Sequence, residues 1–324
     1  MRIIVYGLGA IGGCVAGLLA RSGTDVVGIA RGAMLEAVKA DGLWLKGHEL
    51  DESVPLTVVG NPSEIDFRDG DMILMCMKAQ HMAGALEDLR AAGAGDQPLF
   101  CLQNGVVNED MALRLFPKVH GVMVWMPATY LEPGRVLSFA SPKFGVFETG
   151  LFPGGADHDD EDFVRAIDAA GMAGFTHPNV MAAKYGKLLM NLENILNAAM
   201  GPNAEKGPLP DLMRTEALAV LDSAGIVWED RAKLVPERRD LARISDLPGE
   251  ARSGSSSAQS LLRGTGSIET DYLNGEITRL GRLYGVPTPA NAAMQRIGAR
   301  MVRDALRPGD LTLSDLVAEV GTTD

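Results

Sequence analysis

The chain is poor in positive charge, in cysteine and in long apolar runs. Its 324 residues hold 30 Lys and Arg against 42 Asp and Glu, a formal net charge of −12. That balance argues against nucleic acid and against an anionic membrane as main partners. An anionic ligand must then be held by individual basic residues, so each Lys or Arg beside a motif carries weight. Only Cys14, Cys76 and Cys101 are present. They lie in apolar segments without metal-type spacing, so no metal is expected and a reducing cytosol suits them. No apolar run reaches the roughly 18 residues of a membrane helix. The N-terminus reads as a strand rather than a secretory signal, and the expected location is cytoplasmic. No internal repeat or long low-complexity tract is visible. The chain is 46% hydrophobic, enough for real cores, and its length suggests two domains.

The most informative segment comes first. Arg2-Ile3-Ile4-Val5-Tyr6 is a short β-branched run, followed by Gly7-Leu8-Gly9-Ala10-Ile11-Gly12 and the small-residue helix Cys14 to Arg21. This is the dinucleotide fingerprint in its required strand–turn–helix context. Gly7 permits the tight turn, and Gly9 lets the backbone approach a pyrophosphate at the helix N-terminus. Gly12 lets helix and strand pack closely.

The second strand, Asp25 to Ala30, narrows the cofactor. An NAD site usually places Asp or Glu at that strand end to hold the ribose 2′-hydroxyl. Here the position is Arg31, whose guanidinium suits a 2′-phosphate and can stack on adenine. Asp25 stands at the wrong end of the strand. The expected cofactor is NADP(H).

Further along, helices are expected over 33–40 and 79–92. Short strands are expected at Leu43–Leu45 and Val54–Val59, around a turn. Asp71 to Met77 is a near-continuous apolar strand ending at Lys78, as in a parallel strand buried on both faces. Pro98 to Gly105 is the next strand and its exit turn, and another starts at Val119. Arg135–Phe139 and Lys143–Phe147 read as antiparallel edge strands. The acidic stretch Pro153 to Asp162 reads as a solvated loop leading into a helix. Beyond Pro178 the pattern turns helical, and the tail from Gly309 has room for one short helix. The expected architecture is an α/β Rossmann-type N-terminal domain (1–176, NADP-binding) followed by an all-α C-terminal domain (177–324, substrate and catalysis).

Two constellations lie in the helical half. On a helix over 184–197, Lys187, Asn191 and Asn194 share a narrow stripe, with leucines on much of the other side. Solvated helix faces favour Glu, Lys and Arg, and Asn is a poor helix former, so amides on this stripe point to a cleft. Ser253 to Ser260 is serine-rich, and Gly264-Thr265-Gly266 should break the helix that follows it. A new helix over 268–284 then carries Glu269. On their own, the serines fit a flexible loop and Glu269 a first-turn carboxylate favoured by the helix dipole.

Together these residues resemble the ketopantoate reductase family (2-dehydropantoate 2-reductases). The matches run in chain order: the glycine loop, Lys78-Ala79, Gln103-Asn104-Gly105, Lys187 with Asn191, Glu269-Thr270-Asp271-Tyr272-Leu273-Asn274-Gly275, and Gly285-Val286-Pro287-Thr288-Pro289-Ala290-Asn291. The Glu269 stretch is the most particular of them. The resemblance implies an active site in a cleft between the two domains. It implies that Lys187 is the catalytic acid and that Glu269 helps place substrate and lysine. The resemblance further implies that Asn104 lies near the nicotinamide and Lys78 on the cofactor side, and that Ser257 meets the substrate carboxylate. It departs at two places: Ile195 stands eight residues after the lysine and Gly254 three before the serine, where the family often has pocket asparagines.

The expected reaction is reduction of a 2-oxo acid by NADPH, with 2-dehydropantoate, of pantothenate biosynthesis, implied by the resemblance. Lys187 would stabilise and protonate the carbonyl oxygen. Asn191 would hold lysine or substrate, with Ser257 and Asn194 as substrate contacts. A different 2-oxo acid remains an alternative, as does a non-catalytic NADP-binding redox sensor. A β-hydroxyacid dehydrogenase fits less well, since the region Trp125 to Gly134 lacks that class's glycine- and serine-rich loop. The sequence does not give the oligomeric state; a homodimer is the one assembly considered.

Overall fold

The structure, a computed structural model, describes residues 1–230, 238, 240–252, 254–264 and 266–321. Its strands are β1 (Arg2–Tyr6), β2 (Asp25–Ile29), β3 (Leu43–Gly47), β4 (Leu50–Val54), β5 (Thr57–Val59), β6 (Asp71–Met75), β7 (Leu99–Cys101), β8 (Val119–Trp125), β9 (Ala128–Thr129), β10 (Arg135–Ser138), β11 (Ala140–Pro142), β12 (Val146–Leu151), β13 (Ala173–Thr176) and β14 (Ala242–Ile244). Its α-helices are α1 (Ala10–Arg21), α2 (Gly32–Asp41), α3 (Met82–Ala91), α4 (Asn108–Leu113), α5 (His158–Ala169), α6 (Val180–Asn191), α7 (Asn194–Met200), α8 (Leu209–Ser223), α9 (Ser256–Leu262), α10 (Asn274–Tyr284), α11 (Pro289–Arg303) and α12 (Leu313–Gly321). Of the segments read from sequence, Ser253, Thr265 and Thr322–Asp324 lie outside the described residues.

Strand alternation decides the layering of the first half. Ile3 and Val5 enter one apolar cluster with Cys14, Val15 and Leu18 of α1. Ile4 and Tyr6 enter another with Met82, Leu86 and Leu89 of α3. Successive side chains on a strand point to opposite faces, so β1 is covered on both. All five residues of β6 are buried, as its unbroken apolar run requires.

The main sheet runs β13-β12-β8-β7-β6-β1-β2-β5. Its pairs are parallel except β8 with β12. The order reverses at β1: the chain moves outward to β2 and β5, then returns to β6 on the other flank. Open sheets of this kind bind ligands at such a switch point, beyond the strand C-termini. Tyr6 stands level with Ile29 and Met75. The glycine loop, Arg31 and Lys78 therefore all leave the sheet at that end.

Three strand expectations need correction. Val54–Val59 is two elements: β4 pairs with β3, whereas β5 joins the main sheet. Arg135–Phe139 and Lys143–Phe147 are not a pair of edges. β10 lies in a separate sheet ordered β4-β3-β10-β9, and β12 lies inside the main sheet. Both strands nevertheless contribute to one apolar cluster. Phe147 joins the core beside Phe163, at a ring separation of 6.4 Å, while Val136 packs over Gly13 of α1.

Packing divides the chain into two units. The first comprises Met1–Gln103, Val107–Lys184 and Asp230–Arg252; the second comprises Asn104–Val106, Tyr185–Glu229 and Ser253–Asp324. The division thus falls at Lys184 rather than at 176, because the start of α6 belongs to the first unit. A Cβ on Gly121 of β8 would come within 2.9 Å of Val180. Lys184 is bonded to carbonyls at the end of β7. The segment Asp230–Arg252 returns to the first unit, where β14 pairs antiparallel with β11.

The second unit is helical. In α8, Leu209, Met213, Ala217, Val220 and Leu221 are buried, at the spacing of one helical face. α10 stops at Gly285 and α11 starts with Pro289 at its first position, a residue that needs no amide partner there. The helix expected over 184–197 is broken at Leu192 and Glu193, so Asn194 opens α7 rather than continuing the Lys187 stripe. The helix expected from 268 starts at Asn274, after a single 3-10 turn at Thr270–Tyr272. Among the described residues no helix is long and apolar enough to cross a membrane.

Candidate active site

The glycine loop behaves as its spacing predicts. Gly7 has φ +102°, and a Cβ there would sit 2.9 Å from the Met77 amide nitrogen. A Cβ on Gly12 would sit 2.1 Å from the Gly7 carbonyl oxygen, which no relaxation absorbs cheaply. Gly9 differs: it is the N-cap of α1, and apart from its chain neighbours nothing among the described residues lies within 4 Å of its missing Cβ. Leu8 is buried and fills the space above Gly28. Ala10 and Ile11 form the first turn of α1, which carries no acidic residue. The helix end therefore keeps its partial positive charge, and open space faces it. An anionic diphosphate fits this cradle.

Basic side chains gather near the same strand ends. Arg31 is the N-cap residue of α2, and Lys78 precedes the short turn at Ala79–His81. His81 is held below its usual pKa by burial, and then by the nearby charges of Lys78 and Arg31. These cations lie close together in an acidic chain. Arg31 Nη2 donates to the Tyr6 hydroxyl at 2.9 Å and to Asp88 Oδ2 at 2.7 Å. Burial pushes the Tyr6 hydroxyl up to about 12. Asp88 was not signalled by the sequence, because it comes from α3 rather than from the end of β2.

The exit of β7 is anchored by a buried ion pair that sequence reading also missed. Lys184 Nζ donates to the Cys101 and Gln103 carbonyls, both at 3.2 Å, and to the Glu109 carboxylate. Burial pushes the Glu109 carboxyl up, with the Lys184 charge opposing that rise. The only available signal was Lys184 following an apolar stretch. Asn104 follows in the exit turn, where Gly105 has φ +82°.

In the second unit, Lys187 and Asn191 stand one turn apart on α6. Lys187 is half-buried and Asn191 is 6% exposed. The Asn191 Nδ2 is buried without a hydrogen-bond partner among the described residues. An amide donor left so is costly, and it is free to meet an acceptor. Glu269 and Ser257 are both buried. Glu269 precedes the 3-10 turn, so it is not a first-turn residue of an exposed helix.

From Ser255 onward the serine segment is a capped helix rather than a loop. Ser255 caps α9 by accepting from the Ala258 amide, and its hydroxyl donates to the Asn194 carbonyl at 2.9 Å. Asn194 Nδ2 reaches Ser256 Oγ at 3.5 Å. The structure thus brings Asn194 to Ser255 and Ser256, with Ser257 in the first turn of the same helix. The two departures are also explained. Ile195 is fully in the core, and Gly254 has φ +79°, a conformation that favours glycine.

The remaining motif asparagines are structural relays. Asn274 Nδ2 donates to the Leu192 carbonyl and to Asn291 Oδ1, each at 3.2 Å. Asn291 Nδ2 donates to Glu216 Oε2 at 2.8 Å. The Glu216 carboxylate also accepts the Ala290 and Asn291 amides, capping α11. The break between α6 and α7 is thereby tied to two other helices.

Comparison with known proteins agrees with these features. A family model described as "Ketopantoate reductase PanE/ApbA" matches residues 3–148. A second, "Ketopantoate reductase PanE/ApbA C terminal", matches residues 179–300. A 2-dehydropantoate 2-reductase of Pyrococcus horikoshii is 27% identical over 300 residues, covering 90% of this chain and 94% of the relative. The crystal structure of a PanE/ApbA family ketopantoate reductase from Ralstonia eutropha superposes with a TM-score of 0.77 at 28% identity, covering 94% and 99% of the two chains. A D-mandelate dehydrogenase solved with NADH and anilino(oxo)acetate has the same fold, with a TM-score of 0.77 at 22% identity and coverages of 95% and 100%. With both family models matched in order along the chain, this protein belongs to the ketopantoate reductase family of oxidoreductases.

Proposed function

We propose that this chain reduces a 2-oxo acid to the 2-hydroxy acid with NADPH, and that 2-dehydropantoate is the first substrate to test. The observation that carries the proposal is the buried amide of Asn191, one helical turn after Lys187 and without a partner among the described residues. Gly7, Leu8, Gly9, Ala10, Ile11 and Gly12 would hold the diphosphate of the cofactor, and Arg31 its 2′-phosphate. Lys78 and Asn104 would serve the same molecule.

Bound NADPH supplies the hydride. The protein must orient the ketone and manage the charge that appears on its oxygen. Protonated Lys187 donates a hydrogen bond to that oxygen, stabilises the growing negative charge and transfers the proton. Asn191 supplies its Nδ2–H to the substrate or holds the lysine. Glu269 accepts from the lysine ammonium or from a substrate hydroxyl. Ser257 and Asn194 serve the substrate carboxylate.

A second reading, a different 2-oxo acid, is favoured by Ile195, whose buried apolar side chain offers no hydrogen bond. A single experiment addresses both. NADPH oxidation is followed with 2-dehydropantoate, with phenylglyoxylate and with short-chain 2-oxo acids, in wild type and Lys187→Ala. The substitution should lower kcat by roughly 100-fold or more and leave the NADPH Kd unchanged. A variant with wild-type kcat would refute the role of Lys187. A strong preference for 2-dehydropantoate would refute the second reading.

A further inference from the structure

The end of β2 carries Arg31 and no acid, which by itself argues for NADPH. The fold nevertheless brings an acid to that place from another element. Asp88 of α3 accepts from Arg31 Nη2 at 2.7 Å and from the Tyr6 hydroxyl at 3.1 Å. Arg31 also donates to Tyr6 at 2.9 Å, so the three groups close a ring. Tyr6 keeps its proton near neutral pH, because burial pushes it up to about 12. It therefore remains a donor to Asp88. The Arg31 and Asp88 side chains are 65% and 39% exposed, so a solute can reach both.

We infer that Asp88 sets the cofactor preference by competing with the ribose 2′-substituent for Arg31. The inference rests on Arg31 serving the 2′-phosphate. A 2′-phosphate must take the guanidinium donors from Asp88 or share them with it. Sharing places two anions against one cation, and they repel each other. A 2′-hydroxyl makes no such demand. It can donate to the Asp88 carboxylate, as it does to a strand-end acid in NAD sites. One carboxylate thus weakens NADPH and favours NADH, and it narrows the preference that Arg31 alone would set. The competing account is an exposed ion pair with no bearing on the cofactor, since such pairs are weak.

Cofactor titration decides this without any substrate. NADPH and NADH are titrated into wild type, Asp88→Asn and Arg31→Ala, following nucleotide fluorescence. Asp88→Asn keeps the shape and removes the charge. It should tighten NADPH roughly threefold to tenfold, equivalent to about 0.7–1.4 kcal/mol. NADH should be unchanged or weaker, so the NADPH/NADH selectivity rises. An unchanged or falling ratio overturns the inference. Weaker NADPH binding in Asp88→Asn also overturns it, since Asp88 would then orient Arg31 rather than compete for it. Arg31→Ala separates the two levels. If it weakens NADPH while Asp88→Asn leaves the ratio alone, only the Asp88 inference fails. If it leaves NADPH affinity unchanged, the reading of Arg31 fails as well.

Discussion

Replacing Lys184 by Met should be among the most damaging single changes in the first unit. Lys184 and Glu109 are 3% and 0% exposed. Among the described residues the Glu109 Oε2 has no hydrogen-bond partner, so Lys184 is what compensates this buried carboxylate. Removing one partner of a buried pair typically costs about 3–5 kcal/mol. A second route gives a similar figure. Without the ammonium, Glu109 escapes its buried charge by taking up a proton. Protonating at pH 7 a carboxyl whose ordinary pKa is 4.5 costs about 3.4 kcal/mol, at about 1.36 kcal/mol per pH unit. That figure caps the charge part of the loss. The Cys101 and Gln103 carbonyls lose a donor besides.

The pH dependence has a definite sign. A carboxyl with a raised folded pKa contributes stability that is fully present below its unfolded pKa and lost as pH rises. In Lys184→Met the Glu109 pKa rises further. The deficit against wild type should therefore shrink as pH falls from 7 toward 4.5. Urea unfolding at several pH values measures it. Lys184→Met/Glu109→Gln, which removes the charge, should recover part of the loss. A cost below about 1 kcal/mol at pH 7, or a deficit that grows toward acid pH, would refute the reasoning.

Other outcomes follow from the same geometry. Gly9→Ala should leave thermal stability near wild type but weaken NADPH binding at least tenfold, because the space it enters is open among the described residues; Gly12→Ala should lower Tm as well, and calorimetry with cofactor titration separates the two. Asn191→Leu should hold or raise Tm, since it removes an unpartnered buried amide, while kcat/KM falls. Asn274→Ala and Asn291→Ala should each cost about 1–3 kcal/mol in denaturant unfolding, and the double variant less than their sum, because the two share one hydrogen bond.

Local sequence determined a great deal. The β1 run, the glycine spacing and the small residues of α1 admit only one close strand–turn–helix packing, since a Cβ on Gly12 would strike the Gly7 carbonyl. The apolar run of β6 announced a strand buried on both faces. The Lys187–Asn191 spacing placed two polar groups on one face of α6. These features depend on neighbours within a few residues, so they are legible in the string itself.

Tertiary structure decided the rest. β10 and β12, close in sequence, enter different sheets, although Val136 and Phe147 both pack into one apolar cluster. β14 returns from the helical half to pair with β11. The helix carrying Lys187 stops at Asn191, where Asn274 binds the free carbonyl of Leu192. Glu109 reaches Lys184, and Asp88 reaches Arg31, across long stretches of chain. Burial turns one carboxylate into the obligatory partner of a lysine. Proximity gives another a place that the end of β2 leaves vacant. Neither fact is written in local spacing, because each depends on which distant element the packed core brings alongside.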